Sequence, residues 1–307
     1  MHFQGLDGEA ADMFDVLVVG SVNRDTGLTL ARLPRTGETL ACTDLHESGG
    51  GKGANQALAA RQFGSRVALL AAVGRDGDLA MEDLADAGVD LGAVVRLPDA
   101  LTGRAVLLVT DDDNAIVVHP GANALLTAAH VTEHAGSGPA PRVVALQHEI
   151  PEAAVAAAVR AYRGRALVLL NPSPFRPIDA EIRAGVDVLV VNRGELSDLL
   201  GRELPDDLVQ LLADAPLGDT VVTLGPDGAL VRVDGRVEHV PAVDVDAVDT
   251  VGAGDAFLGA LASLLATGAD LAATVRDAVA AAALAVTVPG ARNPHLTPAA
   301  AAALQHS

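Results

Sequence analysis

The chain has 307 residues, half of them apolar, and a net charge of −19 at pH 7. That length suits one large α/β domain or two ordinary ones, and the negative charge argues against nonspecific binding to nucleic acid or to an anionic membrane surface. A single cysteine, Cys42, excludes an intrachain disulfide and fits a reducing cytoplasm. Cys42 reads as a small apolar side chain rather than a nucleophile. No uncharged apolar run reaches the ~18 residues of a membrane helix. With no Trp, one Tyr and five Phe, the core must be aliphatic and alanine-rich.

Residues 1–12 lack periodicity and are expected to form a disordered tail ahead of one domain spanning 13–303. The stretch FDVLVVGSVNRD (14–25) reads as a buried first strand closing on Gly20 and polar residues. Turn signals at 33–34 and 36–37 divide a region of alternating polarity over 26–48, as in exposed strands. A helix over 53–64 stops at Gly64, a strand follows over 65–74, and a helix over 79–88. Residues 103–120 read as a hairpin turning at 111–114. Paired with strands in 26–48, it makes a small antiparallel lid from about 26–48 and 100–120.

From residue 143 the alternation is regular. Strands are expected at RVVALQH, RALVLLN, DVLVVN and DTVVTLG, with helices at PEAAVAAAVRAY and GELSDLLG and a hairpin over 228–241. The run 256–265 reads as a buried helix ended by Gly268, the first of two alanine-rich helices to about 287. Apolar strands alternating with amphipathic helices mean a mostly parallel sheet covered on both faces, a three-layer α/β/α fold. Ligands of such folds sit beyond the carboxyl ends of the strands. That places Asn23, Asp25, Asn171, Asn192, 223–225 and 249–255 near the chemistry.

Two glycine clusters stand out. VDTVGAGDAFLGAL (248–261) is a loop feeding a helix N-terminus, where free N–H groups attract anions. Asp255 there is either a helix cap or a base beside an anion site. SGGGKGANQ (48–56) is not a Walker A loop, and GSVNRD stands where a dinucleotide fold needs GxGxxG. The second cluster is either a flexible helix start or a close approach to a polyhydroxylated ligand, with Lys52 and Asn55 as donors. Asp25 is a turn residue or an acceptor for sugar hydroxyls. Asn192 and Glu195 form a capping box or face nucleotide phosphates and Mg²⁺. Thr223 and Gly225 belong to turn chemistry or to a nucleotide pocket. The loop 288–298 is a chain-end loop or a source of carbonyls for a cation.

Taken in order, GGKGANQ, DTVGAGDAF, LPRTGETL, TGRAVLLV, VVHPGAN, NPSP and VVTLGPDGA resemble the ribokinase family of carbohydrate kinases, the PfkB-type fold, over about residues 15–298. The resemblance implies ATP-dependent phosphorylation of a sugar hydroxyl, with D-ribose to ribose 5-phosphate as the leading acceptor reaction. It implies Asp255 as the base and Gly252, Ala253 and Gly254 as the anion hole. Sugar contacts fall on Asn23, Asp25, Gly51, Lys52, Asn55 and Glu149. The nucleotide falls on Asn192, Thr223, Gly225 and Gly254, and Mg²⁺ on Glu195 through water. A K⁺ site falls on Asp249, Val251 and Gly290, and the lids pair into a homodimer. Residues 192–195 read NRGE where members often show NETE, and 290–295 read GARNPH where GAQPS is common. Deoxyribose, a fructose-type sugar or a nucleoside is the alternative acceptor, and a non-catalytic sugar or nucleotide sensor is the alternative class.

Overall fold

The computed structural model describes residues 13–110 and 114–305. The expected tail and residues 111–113 of the expected hairpin turn lie outside them. The chain opens with β1 (Val16–Val19), then β2 (Asn23–Thr29), β3 (Asp44–Gly50) and α1 (Lys52–Gln62). It continues through β4 (Val67–Leu70), β5 (Ala72–Gly74), α2 (Asp78–Ala87), β6 (Val95–Leu97), β7 (Gly103–Val109) and β8 (Asn114–His119). The middle comprises α3 (Ala128–Gly136), β9 (Val143–Gln147), α4 (Glu152–Tyr162), β10 (Leu167–Asn171), α5 (Ala180–Gly185), β11 (Val188–Asn192) and α6 (Arg193–Leu200). Next come α7 (Val209–Asp214), β12 (Asp219–Thr223), β13 (Ala229–Val233) and β14 (Arg236–Val240), and last α8 (Ala253–Leu265), α9 (Leu271–Ala285) and α10 (Pro298–Leu304).

The main sheet has the order β14-β13-β12-β11-β10-β9-β1-β4. From β12 to β4 every pair is parallel, while β13 and β14 close the other edge antiparallel. Side-chain alternation divides β1 between the two faces. Val16 and Val18 join the cluster that packs on α1, α8 and α9, and Leu17 and Val19 join the one that packs on α4. Burying each of these side chains contributes about 1.5–3 kcal/mol. Such strands therefore read as unbroken apolar runs, as expected. Among the described residues no helix is long and apolar enough to cross a membrane.

The second sheet has the order β3-β2-β7-β8 and is the expected lid. Its outer pairs are antiparallel, and its central pair, β2 with β7, is parallel. The first strand closes before Gly20 as expected, and the chain then leaves the main sheet and enters the lid at Asn23, three residues ahead of the expected lid start. Gly20 allows this turn, because a Cβ there would lie 2.0 Å from Gln147 Oε1 and 2.8 Å from the Gly53 backbone. The run 65–74 breaks, β4 staying in the main sheet while β5 pairs with β6. The helix expected over 256–265 starts three residues earlier, at Ala253, and the added first turn carries Asp255. Cys42 lies exposed in the connection between β2 and β3.

The strand order reverses between β1 and β9, which is where an open α/β sheet binds ligands. Helices α1 and α8 cross closely over this point. Gly259 permits it: a Cβ there would sit 2.5 Å from Ala59 Cβ and 2.5 Å from the Gln56 carbonyl. That crossing sets the polar residues at the start of α1 against those at the start of α8.

Candidate active site

Asp255 lies in the first turn of α8 and is 7% exposed. It is not the helix cap. Its Oδ2 accepts from Asn55 Nδ2 at 3.1 Å and its Oδ1 from Gln56 Nε2 at 2.9 Å. Gln56 is in turn held by Gln147 Nε2 at the end of β9, at 2.6 Å. Gln56 and Gln147 are parts of the site that sequence reasoning missed. The signal for Gln56 was its place beside Asn55 in a helix buried from Gly53 to Ala60, where a polar side chain must find a partner. The cap position belongs to Gly252, whose φ of +79° and close approach to Ala291 suit glycine alone. Gly254 has open space around its Cα. The first N–H groups of α8 have no acceptor within the helix, so the turn formed by Gly252, Ala253 and Gly254 can receive an anion.

The acceptor side is built at the ends of β1 and β9 and the start of the lid. Glu149 Oε2 accepts from the Ser21 hydroxyl and from the Lys52 backbone N–H at 3.0 Å. Asn23 Oδ1 accepts from Asn123 Nδ2 at 2.8 Å, and Asn123 also pins the Val22 backbone. Asp25 Oδ1 is buried without a partner. Burial pushes the Asp25 carboxyl up to about 6; Arg292 pulls it down, and Glu149 and Asp255 push it up. An acceptor-only carboxylate with a free, desolvated oxygen is a ready partner for a hydroxyl.

The glycines of 48–56 are explained one by one. A Cβ on Gly50 would overlap Asp25 Oδ2 at 2.0 Å, and one on Gly49 would overlap the Arg292 guanidinium at 2.4 Å. Gly51 has φ +89° and caps α1, and Gly53 passes the backbone of 20–21. The cluster is thus close packing around the site rather than a flexible loop. An open cleft of about 430 Å³ adjoins it, lined by Asn23, Lys52, Val118, Asn123, His148 and Glu149 among others. His148 is buried with neither ring nitrogen bonded. Burial, then Arg176, pushes it down to about 4, so it is neutral at neutral pH.

A second group forms at the ends of β11 and β12, where Asn192 and Thr223 are paired in register. The capping box is present: Asn192 Oδ1 accepts from the Glu195 N–H at 2.8 Å, and Glu195 Oε2 accepts from the Asn192 N–H at 2.9 Å. Asn171 Nδ2 adds a 3.4 Å bond to the same oxygen. Gly225 opens a short 3₁₀ turn with φ +60°. Among the described residues no three His, Cys, Asp or Glu side chains converge as a metal cage. Glu195 alone fits a hydrated Mg²⁺ held mostly by phosphates, the usual habit of that ion. At the third group Asp249 accepts from the Val251 N–H at 3.0 Å and the Gly290 N–H at 2.9 Å. This carboxylate ties the 288–293 loop to the loop before α8 through both of its oxygens.

Arg292 was also missed as a site residue. Its Nε donates to Asn55 Oδ1 at 2.8 Å and its Nη2 to the Gly50 carbonyl at 3.1 Å.

Residues 13–298 match the family described as pfkB family carbohydrate kinase. A deoxyribokinase of Salmonella typhi is 34% identical over 291 residues, covering 91% of this chain and 94% of the relative. A ribokinase of Lactococcus lactis is 32% identical, covering 92% and 93%. The structure of Arabidopsis thaliana ribokinase complexed with ribose and ATP superposes with a TM-score of 0.85 at 30% identity, covering 95% of this chain and 98% of that one. With the family match over residues 13–298, the relatives at 32–34% identity and the shared fold in agreement, the chain belongs to the pfkB family of carbohydrate kinases.

Proposed function

We propose that this kinase transfers the γ-phosphoryl group of ATP to the 5-hydroxyl of D-ribose. The observation that carries the reading is Asp255, buried in the first turn of α8 and oriented by Asn55 and Gln56 beside an open anion site. Asn23, Asp25 and Glu149 bind the sugar hydroxyls, and Asp25 contributes its unpaired oxygen. Lys52 and Asn55 add donors. Asp255 takes the hydroxyl proton as the new O–P bond forms and the bond to ADP breaks. The N–H groups of Gly252, Ala253 and Gly254 receive the charge on the transferred group. An acid can stand beside an anion site because the acceptor hydroxyl lies between them.

Asn192, Thr223 and Gly225 hold the nucleotide, with β10 separating their strands from β9. At ~4.8 Å per strand, the end of β9 lies about 10 Å from that of β11 and about 14 Å from that of β12, a span for a polyphosphate to bridge. Glu195 orders the water around Mg²⁺, which when bound neutralises the phosphate oxygens. Asp249, Val251 and Gly290 hold K⁺. The lid closes over the sugar and keeps water from the phosphoryl group. Its exposed Leu45 and Val117 share the face of the lid sheet opposite Asp25, while Val109 and Ile116 lie on the Asp25 face; this apolar exposure suits a second copy, so the active form is a lid-paired homodimer.

Deoxyribose is the second reading, favoured by the 34% identity to a deoxyribokinase. The test is a coupled ADP-release assay with Mg-ATP, with and without KCl, across ribose, deoxyribose, fructose and adenosine against a no-sugar blank. Ribose-dependent turnover supports the assignment, and preference for another acceptor moves it. ATP binding without turnover on any acceptor would instead support a sensor.

A further inference from the structure

Arg292 sits inside the acceptor site, in the GARNPH stretch where this chain departs from the common family pattern. Its side chain is 10% exposed. A guanidinium is always charged and carries five donors in a rigid fork, so burying it demands partners for each direction. Four partners from three separate segments supply them. Asp83 and the Ala80 carbonyl come from α2, at 2.6 and 3.5 Å. The Gly50 carbonyl comes from the end of the lid strand β3, at 3.1 Å, and Asn55 Oδ1 from α1, at 2.8 Å. Gly49 makes the room, since any Cβ there meets Arg292 at 2.4 Å.

The contact with Asn55 has a chemical consequence. A carboxamide has one donor end and one acceptor end. Arg292 Nε can only donate, so it takes Oδ1; the Asp255 carboxylate can only accept, so it takes Nδ2. Between them the amide has one allowed orientation. Without the guanidinium Oδ1 loses its partner and Asp255 alone is left to hold the amide. The charge matters as well. Asp25 lies across the same strand end, facing Arg292 as its one opposing cation and Glu149 and Asp255 as its neighbouring anions.

We propose that Arg292 is a positioning residue for acceptor binding: its fork holds the Asn55 amide and the Gly50 carbonyl in place, and its charge offsets that of Asp25. The inference rests on reading this pocket as the acceptor site of a sugar kinase. It also joins the 288–293 loop, anchored through Gly290 to Asp249, to the sugar-binding end of the lid.

The test compares wild type, Arg292→Met, Arg292→Lys and Gly49→Ala in the ribose assay from pH 5.5 to 8.5, with deoxyribose as a second acceptor. Arg292→Met is expected to raise the sugar KM about tenfold, as for loss of a charge-assisted hydrogen bond, with the KM for ATP within about twofold. The acid limb of kcat/KM for sugar moves to higher pH, because Asp25 then faces only Glu149 and Asp255. Arg292→Lys keeps the charge and returns the limb towards wild type, while the KM stays raised because an ammonium has no fork. Gly49→Ala displaces the guanidinium, while also pressing on the Ala80 carbonyl of α2 at 2.7 Å, and reproduces the KM rise. Should the Met variant fail to fold, the Lys and Gly49→Ala variants carry the KM readout. An unchanged sugar KM and acid limb in folded variants overturns the proposal. A parallel rise in both KM values with the limb unmoved also overturns it, leaving Arg292 a structural strut. Absence of sugar-dependent turnover in the wild type overturns the kinase reading beneath it, a result distinct from either.

Discussion

Asp25 makes the acceptor site at the expense of the fold, and the trade can be measured. Its carboxyl is pushed up from 3.8 to about 6, chiefly by burial. At 1.36 kcal/mol for each tenfold change in proton affinity, holding it ionised costs the folded state about 3 kcal/mol at neutral pH. Asp25→Asn removes the charge with little change of shape. The new amide brings donors without waiting partners, which returns part of the gain, so a net stabilisation of ~1–2 kcal/mol is expected. For a chain of this length that raises Tm by about 2–4 °C. The pH dependence fixes the cause. Between pH 3.8 and about 6 the folded protein binds a proton that the unfolded chain has released. The wild type therefore loses stability as pH rises through this window, and the loss is complete above it. The advantage of Asp25→Asn should be full at pH 8 and fall by about 1.4 kcal/mol, to near zero, at pH 5. Thermal melts by circular dichroism at both pH values, with and without ribose, read both effects. Ribose should raise the Tm of the wild type and leave that of the variant in place. An equal gain at both pH values, or a variant that melts lower at pH 8, would refute the argument by showing a hydrated carboxylate at position 25.

The remaining predictions concern catalysis and assembly. Asp255→Asn should lower kcat about a thousandfold while the sugar Kd, measured by calorimetry, stays within a few-fold; retained turnover removes it from the role of base. Gly254→Ala should fold normally, since nothing lies within 4 Å of a Cβ there. Its loss of kcat then reports the anion site directly, and wild-type rates would place that site elsewhere. Asn192→Ala should cost about 1 kcal/mol through the lost cap. Glu195→Gln keeps the capping box, so a raised Mg²⁺ requirement in that variant, seen by titrating the metal at fixed ATP, separates metal handling from helix stability. Light scattering should give twice the 31.0 kDa chain mass, and Val117→Asp should reduce it to one.

Much of this protein was legible in its sequence. The apolar strand runs and amphipathic helices required a covered parallel sheet, because no other arrangement buries both faces. The two glycine clusters marked where backbone approaches something closely, and Asp255, Asn55 and Asp25 were named from their positions beside strand ends and helix starts. The strand boundary at Ala71 was not legible, because a continuous apolar run carries no sign of the point where it changes sheets. Tertiary structure alone decided that Gln56 and Gln147 brace the base, since only the α1–α8 crossing at Gly259 brings them together. It alone decided that Gly49 and Gly50 make room for Arg292 and Asp25. Local composition records which residues can turn, cap or accept a proton. Which of them meet, across more than 230 residues in the case of Asn55 and Arg292, is set by the packing of elements whose contacts no local pattern encodes.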